Sequence, residues 1–119
     1  MQTINLYGIP NCSSVKKARD WLHNHAIDYV FHDFKKITIC ETLLTHWLNQ
    51  VSHEKLVNRT GLTWRGLDAT TKLSLTDGDA IIKLMQNKPT VIKRPILEKN
   101  GKIVSVGFNA QDYIQLFKA

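Results

Sequence analysis

Cys12 is the residue whose surroundings most suggest chemistry. It stands in Pro10-Asn11-Cys12-Ser13-Ser14, where a loop gives way to a helical pattern. A helix N-terminus presents unpaired N–H groups and about half a positive charge. Both favour a thiolate over a thiol and so lower a cysteine pKa. Lys16 and Lys17, one turn further on, add positive charge. Position 15 is Val15, so this is not the Cys-x-x-Cys of a dithiol oxidoreductase. A reactive Cys12 would therefore work through a mixed disulfide resolved by an outside thiol such as glutathione. The competing reading is a small buried residue filling a gap; the position between loop and helix favours the reactive one. Cys40, inside or just before a later helical pattern, reads as a structural residue.

Cations form the second set. Arg94-Pro95 follows Thr90-Val91-Ile92-Lys93 and precedes two short apolar runs. A proline at the head of a strand needs no ladder donor, and Pro95 is a candidate for a cis peptide bond. Arg59 lies in Asn58-Arg59-Thr60-Gly61, with Trp64-Arg65 after it. Arginines near a thiolate lower its pKa and can grip a carboxylate or oxyanion with two hydrogen bonds. The alternative for Arg94 is a solvated surface cation. The five histidines, His23, His25, His32, His46 and His53, form no metal set. His23 and His25, two apart, would point in different directions on a helix. No metal is expected, and no glycine-rich phosphate loop, acid pair or Ser/His/Asp order stands out.

These residues need elements to position them. Thr3–Tyr7 reads as a strand ending at Gly8-Ile9-Pro10-Asn11. Ser13 or Ser14 opens a helix whose apolar stripe is Val15, Ala18 and Leu22, with Trp21 beside it. Asp28–Phe34, rich in aromatic and branched residues, is a second strand, completing a βαβ unit. The middle is helical. Thr38-Ile39-Cys40-Glu41 fits a capping box before Leu43, Leu44, Trp47, Leu48 and Val51. Asn58–Leu67 lacks periodicity and reads as a loop. Thr76-Asp77-Gly78-Asp79 fits another capping box, before a helix through Ala80, Ile81, Leu84 and Met85 that Lys88-Pro89 ends. Asn100-Gly101 between apolar runs predicts a hairpin with a type I′ turn. A last helix starts near Asn109 and carries Tyr113, Leu116 and Phe117. The order is β-α-β, helices, then β-β-α. That is an α/β, thioredoxin-like fold with a helical insertion, expected at about residues 38–88 of a single domain spanning residues 1–119.

Composition agrees with an ordinary globular chain. It has 119 residues, 43% hydrophobic and 22% charged, which excludes collagen-like, coiled-coil and largely disordered classes. No apolar run approaches the length of a membrane span. The start, Met1-Gln2-Thr3-Ile4-Asn5, has neither the basic flank nor the apolar run of a signal peptide. A cytoplasmic protein without a membrane partner is expected. Sixteen Lys+Arg against ten Asp+Glu give +6. That charge suits an anionic substrate, an acidic protein or nucleic acid. The cations are scattered, and no recognition helix or RNA-binding signature accompanies them, so direct nucleic-acid binding is not expected.

The residues resemble the arsenate reductase-like family that includes ArsC, Spx and YffB, most of all its YffB-like branch. The carriers are Tyr7-Gly8-Ile9-Pro10-Asn11-Cys12 with Lys16-Lys17-Ala18; Asn58-Arg59-Thr60-Gly61-Leu62-Thr63-Trp64-Arg65; Lys93-Arg94-Pro95-Ile96; and Val106-Gly107-Phe108. The resemblance implies a thioredoxin-like domain with Cys12 as nucleophile and Arg94 as the anion-binding arginine before a cis-proline. Arg59 would be the middle-loop arginine of the oxyanion site; Lys16 and Asn11 complete the candidate anion-binding set. The family's third arginine has no counterpart in Ser105-Val106-Gly107-Phe108. That favours glutathione-dependent thiol reduction, with glutathione or glutaredoxin as partner and no bound cofactor, over arsenate reduction. A disulfide or oxyanion would be the substrate. The alternative the family offers is an Spx-like regulator that binds RNA polymerase, although Spx proteins usually carry the Cys-x-x-Cys that is missing here.

Overall fold

The computed structural model describes residues 3–75 and 77–118. The first strand, β1 (Ile4–Gly8), leads through a turn into helix α1 (Ser13–Asn24), and β2 (Val30–Asp33) follows. Helices α2 (Glu41–Gln50), α3 (His53–Leu56), α4 (Leu62–Arg65), α5 (Ala69–Ser74) and α6 (Gly78–Asn87) come next, then a 3-10 turn at Pro89–Val91. The chain ends its regular structure with β3 (Ile96–Lys99), β4 (Lys102–Val106) and α7 (Ala110–Phe117). Two compact units result. One is built from the residues up to Ile37 together with those from Arg94 onward; the other is Thr38–Lys93.

In the first unit the strands form one sheet in the order β2-β1-β3-β4. β1 runs parallel to β2 and antiparallel to β3, and β3 is antiparallel to β4. With the element order, this is the thioredoxin-like arrangement that the sequence predicts. Strand side chains alternate between faces, so Ile4, Leu6 and Leu97 share one face. They form a core with Ala18, Trp21 and Leu22 of α1 and Tyr113 of α7. The helical stripe Val15-Ala18-Trp21-Leu22 is buried throughout. The Trp21 and Tyr113 rings meet edge to face at 5.4 Å. The other face carries Asn5, Tyr7, His32 and the buried Glu98, which lies opposite Asn5 in the β1/β3 ladder. His32 stacks on Tyr7 at 4.3 Å and hydrogen-bonds the Asn5 side-chain oxygen at 2.9 Å. The hairpin turn has Asn100 and Gly101 at φ 54° and 81°, the left-handed pair that a type I′ turn requires.

In the second unit α2 packs on α6, and α6 on the 3-10 turn. The unit extends past the expected boundary at residue 88 to Lys93. Val57 bridges Ile92, and the Lys93 N–H donates to the Leu56 carbonyl at 2.7 Å. Two sequence expectations need correction here. Helix α2 starts after the Thr38 capping box: Cys40 is its N-cap, its Sγ accepting from the Leu43 N–H at 3.4 Å. Ile39 is buried, and the Gln86 side chain donates to its carbonyl, which keeps that residue out of the helix. The stretch 58–67 is not all loop but contains α4, a single turn too short to show periodicity. The cap of α6 expected at Thr76 lies outside the described residues; Asp77 caps the helix by accepting from the Ala80 N–H at 2.8 Å.

Candidate active site

Cys12 occupies the N-cap of α1, with extended backbone at φ −102° and ψ 129°. Its N–H donates to the Ile9 carbonyl at 3.4 Å, and its carbonyl accepts from the Lys16 N–H at 3.0 Å. The turn is thereby tied to both the end of β1 and the first turn of α1. Gly8 allows the close approach: a methyl there would sit 2.7 Å from Val15 Cγ2. Val15 is fully buried and cannot give way. A glycine at the end of β1 thus fixes where α1 begins, and with it the thiol.

The Cys12 thiol is half-buried and free. Burial is the largest single influence on it and pushes its pKa up. The Val15 N–H, a hydrogen bond from the Arg94 side chain, the Ser14 N–H and the Arg94 charge all act the other way. Together they outweigh burial and hold the thiol below its ordinary value of 9.0. No cap hydrogen bond closes fully on Sγ; the stabilisation comes from N–H dipoles and a guanidinium within electrostatic reach. Arg94 stands two residues before β3, and the Arg94-Pro95 peptide bond is cis. The Gly107 N–H donates to the Pro95 carbonyl at 2.8 Å, binding this turn to the end of β4.

Of the residues singled out in the sequence, the structure brings Cys12, Arg94 and Pro95 together in one unit. Asn11, exposed in the turn, and Lys16, exposed on α1, flank the thiol along the chain. Arg59 belongs to the second unit. There its guanidinium hydrogen-bonds His53 at 3.2 Å and lies 5.2 Å from the centre of the Trp64 ring. Cys40 is exposed and serves as a helix cap. Among the described residues no three His, Cys, Asp or Glu side chains cluster as metal ligands, and no helix is long and apolar enough to cross a membrane. Sequence reasoning gave no role to Arg19. Its Nε donates to the Tyr29 hydroxyl at 3.0 Å, and its guanidinium lies 4.2 Å over the Phe31 ring. The signal available was two aromatics on alternate positions beside an arginine-bearing helix.

The site is thus a thioredoxin-like sheet with a half-buried cysteine at the start of its first helix and an arginine before a cis-proline acting on that cysteine. The chain belongs to the ArsC family, whose sequence profile matches residues 7–116. It is similar to the YFFB protein of known structure, with 41% identity and a TM-score of 0.88 over 95% of this chain and 97% of that one. It is also similar to an arsenate reductase (ArsC) related protein from Brucella melitensis, with 41% identity and a TM-score of 0.77 over 98% and 96% of the two chains. The global transcriptional regulator Spx 1 from Lactococcus lactis is 29% identical over 96% of this chain and 88% of its own.

Proposed function

We propose that the protein is a glutathione-dependent thiol–disulfide reductase with Cys12 as its single nucleophile. The observation that carries this reading is the Cys12 thiol held below its ordinary pKa by Arg94 and the first N–H groups of α1, against the opposing effect of burial. The Cys12 thiolate attacks the glutathionyl sulfur of a mixed disulfide RS–SG. A Cys12–SG bond forms as the RS–SG bond breaks, and RS⁻ leaves and takes up a proton. The thiolate of a second glutathione attacks the Cys12–SG sulfur. Cys12 leaves as thiolate and oxidised glutathione is released, so RS–SG and GSH become RSH and GSSG. Arg94 supplies positive charge at the sulfur. Lys16 and Asn11, beside the thiol along the chain, are proposed to assist in holding the anionic substrate. The reading places the protein in a reducing compartment, the cytoplasm, consistent with two free thiols.

Mass spectrometry after incubation with oxidised glutathione tests this directly. One glutathione adduct on Cys12 and none on Cys40 is expected. Cys12→Ser should abolish turnover of a glutathionylated substrate while leaving the circular dichroism spectrum intact. Retained turnover in the serine variant would refute the role. The likeness to Spx 1 supports a second reading, a regulator that contacts RNA polymerase. It predicts a stable polymerase complex that survives Cys12→Ser, which a pull-down with purified polymerase would reveal.

A further inference from the structure

Two open grooves flank α1 in the first unit and meet at Pro10 and Arg19. One, of about 480 Å³, is lined by Pro10, Lys16, Arg19, Asp20, His23 and Tyr29. The other, of about 380 Å³, continues past Arg19 along β2 to Asp33 and Lys36. Cys12 does not line either groove, but both begin at its turn. Pro10 is two residues before it, and Lys16 is tied to its carbonyl.

Arg19 is the central feature. Its Nε is fixed by the Tyr29 hydroxyl and its plane by the Phe31 ring. Such a guanidinium is held in place before any ligand arrives, so little side-chain entropy is lost when it binds one. Its interactions among the described residues are these two aromatic ones, and neither neutralises its charge. A preorganised guanidinium with no carboxylate of its own, in a groove lined by Pro10 of the turn that carries Cys12, is suited to a carboxylate brought by a ligand. The larger groove offers two cations, Lys16 and Arg19, and one carboxylate, Asp20. This is the inverse of a peptide with two carboxylates and one ammonium, and Pro10 and Tyr29 line the same groove.

We infer that this groove binds the carboxylate-bearing arm of a peptide thiol or disulfide, with Arg19 as the residue that selects for it. The inference rests on the reading of Cys12 as nucleophile and adds where on the chain the carboxylate of its thiol partner is held.

The test uses S-methylglutathione, which binds but cannot exchange, and its diethyl ester, titrated into the full chain and followed by amide chemical shifts. Saturable binding is expected, with shifts along α1 and β2. Both esterification on the wild-type protein and Arg19→Gln should weaken it about tenfold. In parallel, the ratio of the rates at which Cys12 reacts with oxidised glutathione and with the neutral 2-hydroxyethyl disulfide should fall about tenfold in Arg19→Gln. No saturable binding, shifts confined elsewhere, or an ester that binds as tightly as the acid would overturn the inference. The ester comparison needs no variant and so does not depend on how Arg19→Gln folds. Reaction of Cys12 with the neutral disulfide alongside an indifferent groove would leave the reductase reading standing and remove this one. A groove that binds S-methylglutathione beside an inert Cys12 would do the reverse.

Discussion

At Cys12 the decisive question is which influence on the sulfur prevails. An ordinary cysteine is only a few per cent thiolate near neutral pH. Each tenfold gain in that fraction raises the rate of exchange until the pKa approaches the ambient pH. Burial works against ionisation, and the Val15 and Ser14 N–H groups work for it. Arg94 acts twice on the same side, as hydrogen-bond donor and as charge. Arg94→Gln should therefore raise the Cys12 pKa toward or past its ordinary value and slow its reaction with disulfides about tenfold near neutral pH. Arg94→Lys keeps the charge but loses the planar fork, and should fall between the two. The pH dependence of iodoacetamide alkylation checks both. An unmoved profile in Arg94→Gln would assign the whole effect to the helix N-terminus. At this scale the sequence was informative about Cys12, because a loop-to-helix transition has a recognisable pattern. It could not show that Arg94, far along the chain, returns to that sulfur, because the contact depends on β3 pairing with β1.

At the scale of elements, long periodic segments and turns with special backbone needs were legible, and single helical turns were not. The α1 stripe and the Asn100-Gly101 hairpin follow from spacing and from positive φ respectively. α3, α4 and α5 span four, four and six residues, and so give too few positions to display a period of 3.6. Asp68 was a readable sign for α5, since its side chain accepts from the Thr71 N–H three residues on. The end of α1 also breaks a local preference. The Ala26 N–H donates to the His23 carbonyl and the Ile27 N–H to the Leu22 carbonyl, the paired bonds of a Schellman motif. That motif places Ala26 at φ 54°, a conformation in which glycine avoids the Cβ penalty. Ala26→Gly should stabilise the fold by about 1 kcal/mol and raise Tm by about 4 °C. A thermal melt that moves down instead would show that the alanine methyl has packing worth more than the backbone relief.

At the scale of the whole molecule, stability as a function of pH should carry the signature of two titrating groups. His32 is pushed below its ordinary 6.5, chiefly by burial, with the Glu98 charge acting in the opposite sense. As pH falls through 6.5 the unfolded chain takes up this proton before the folded one does. Stability therefore declines on the acid side and recovers as pH rises. Cys12 lies below its ordinary 9.0, so the folded chain releases its proton first as pH rises. In the window below 9.0 the unfolded state holds more protons, and stability climbs with pH until both forms are ionised. That contribution is complete above 9.0 and is lost as pH falls through the folded-state pKa. Urea unfolding from pH 5 to 9.5 should show both limbs. Cys12→Ser should flatten the alkaline limb and leave the acid one, because a serine hydroxyl does not ionise in this range. His32→Gln should do the converse, keeping a hydrogen-bonding group beside Asn5 without the titration. If the alkaline limb persisted in Cys12→Ser, the charge-stabilised sulfur on which the proposed chemistry depends would not be the group that gives the fold its preference for the ionised state.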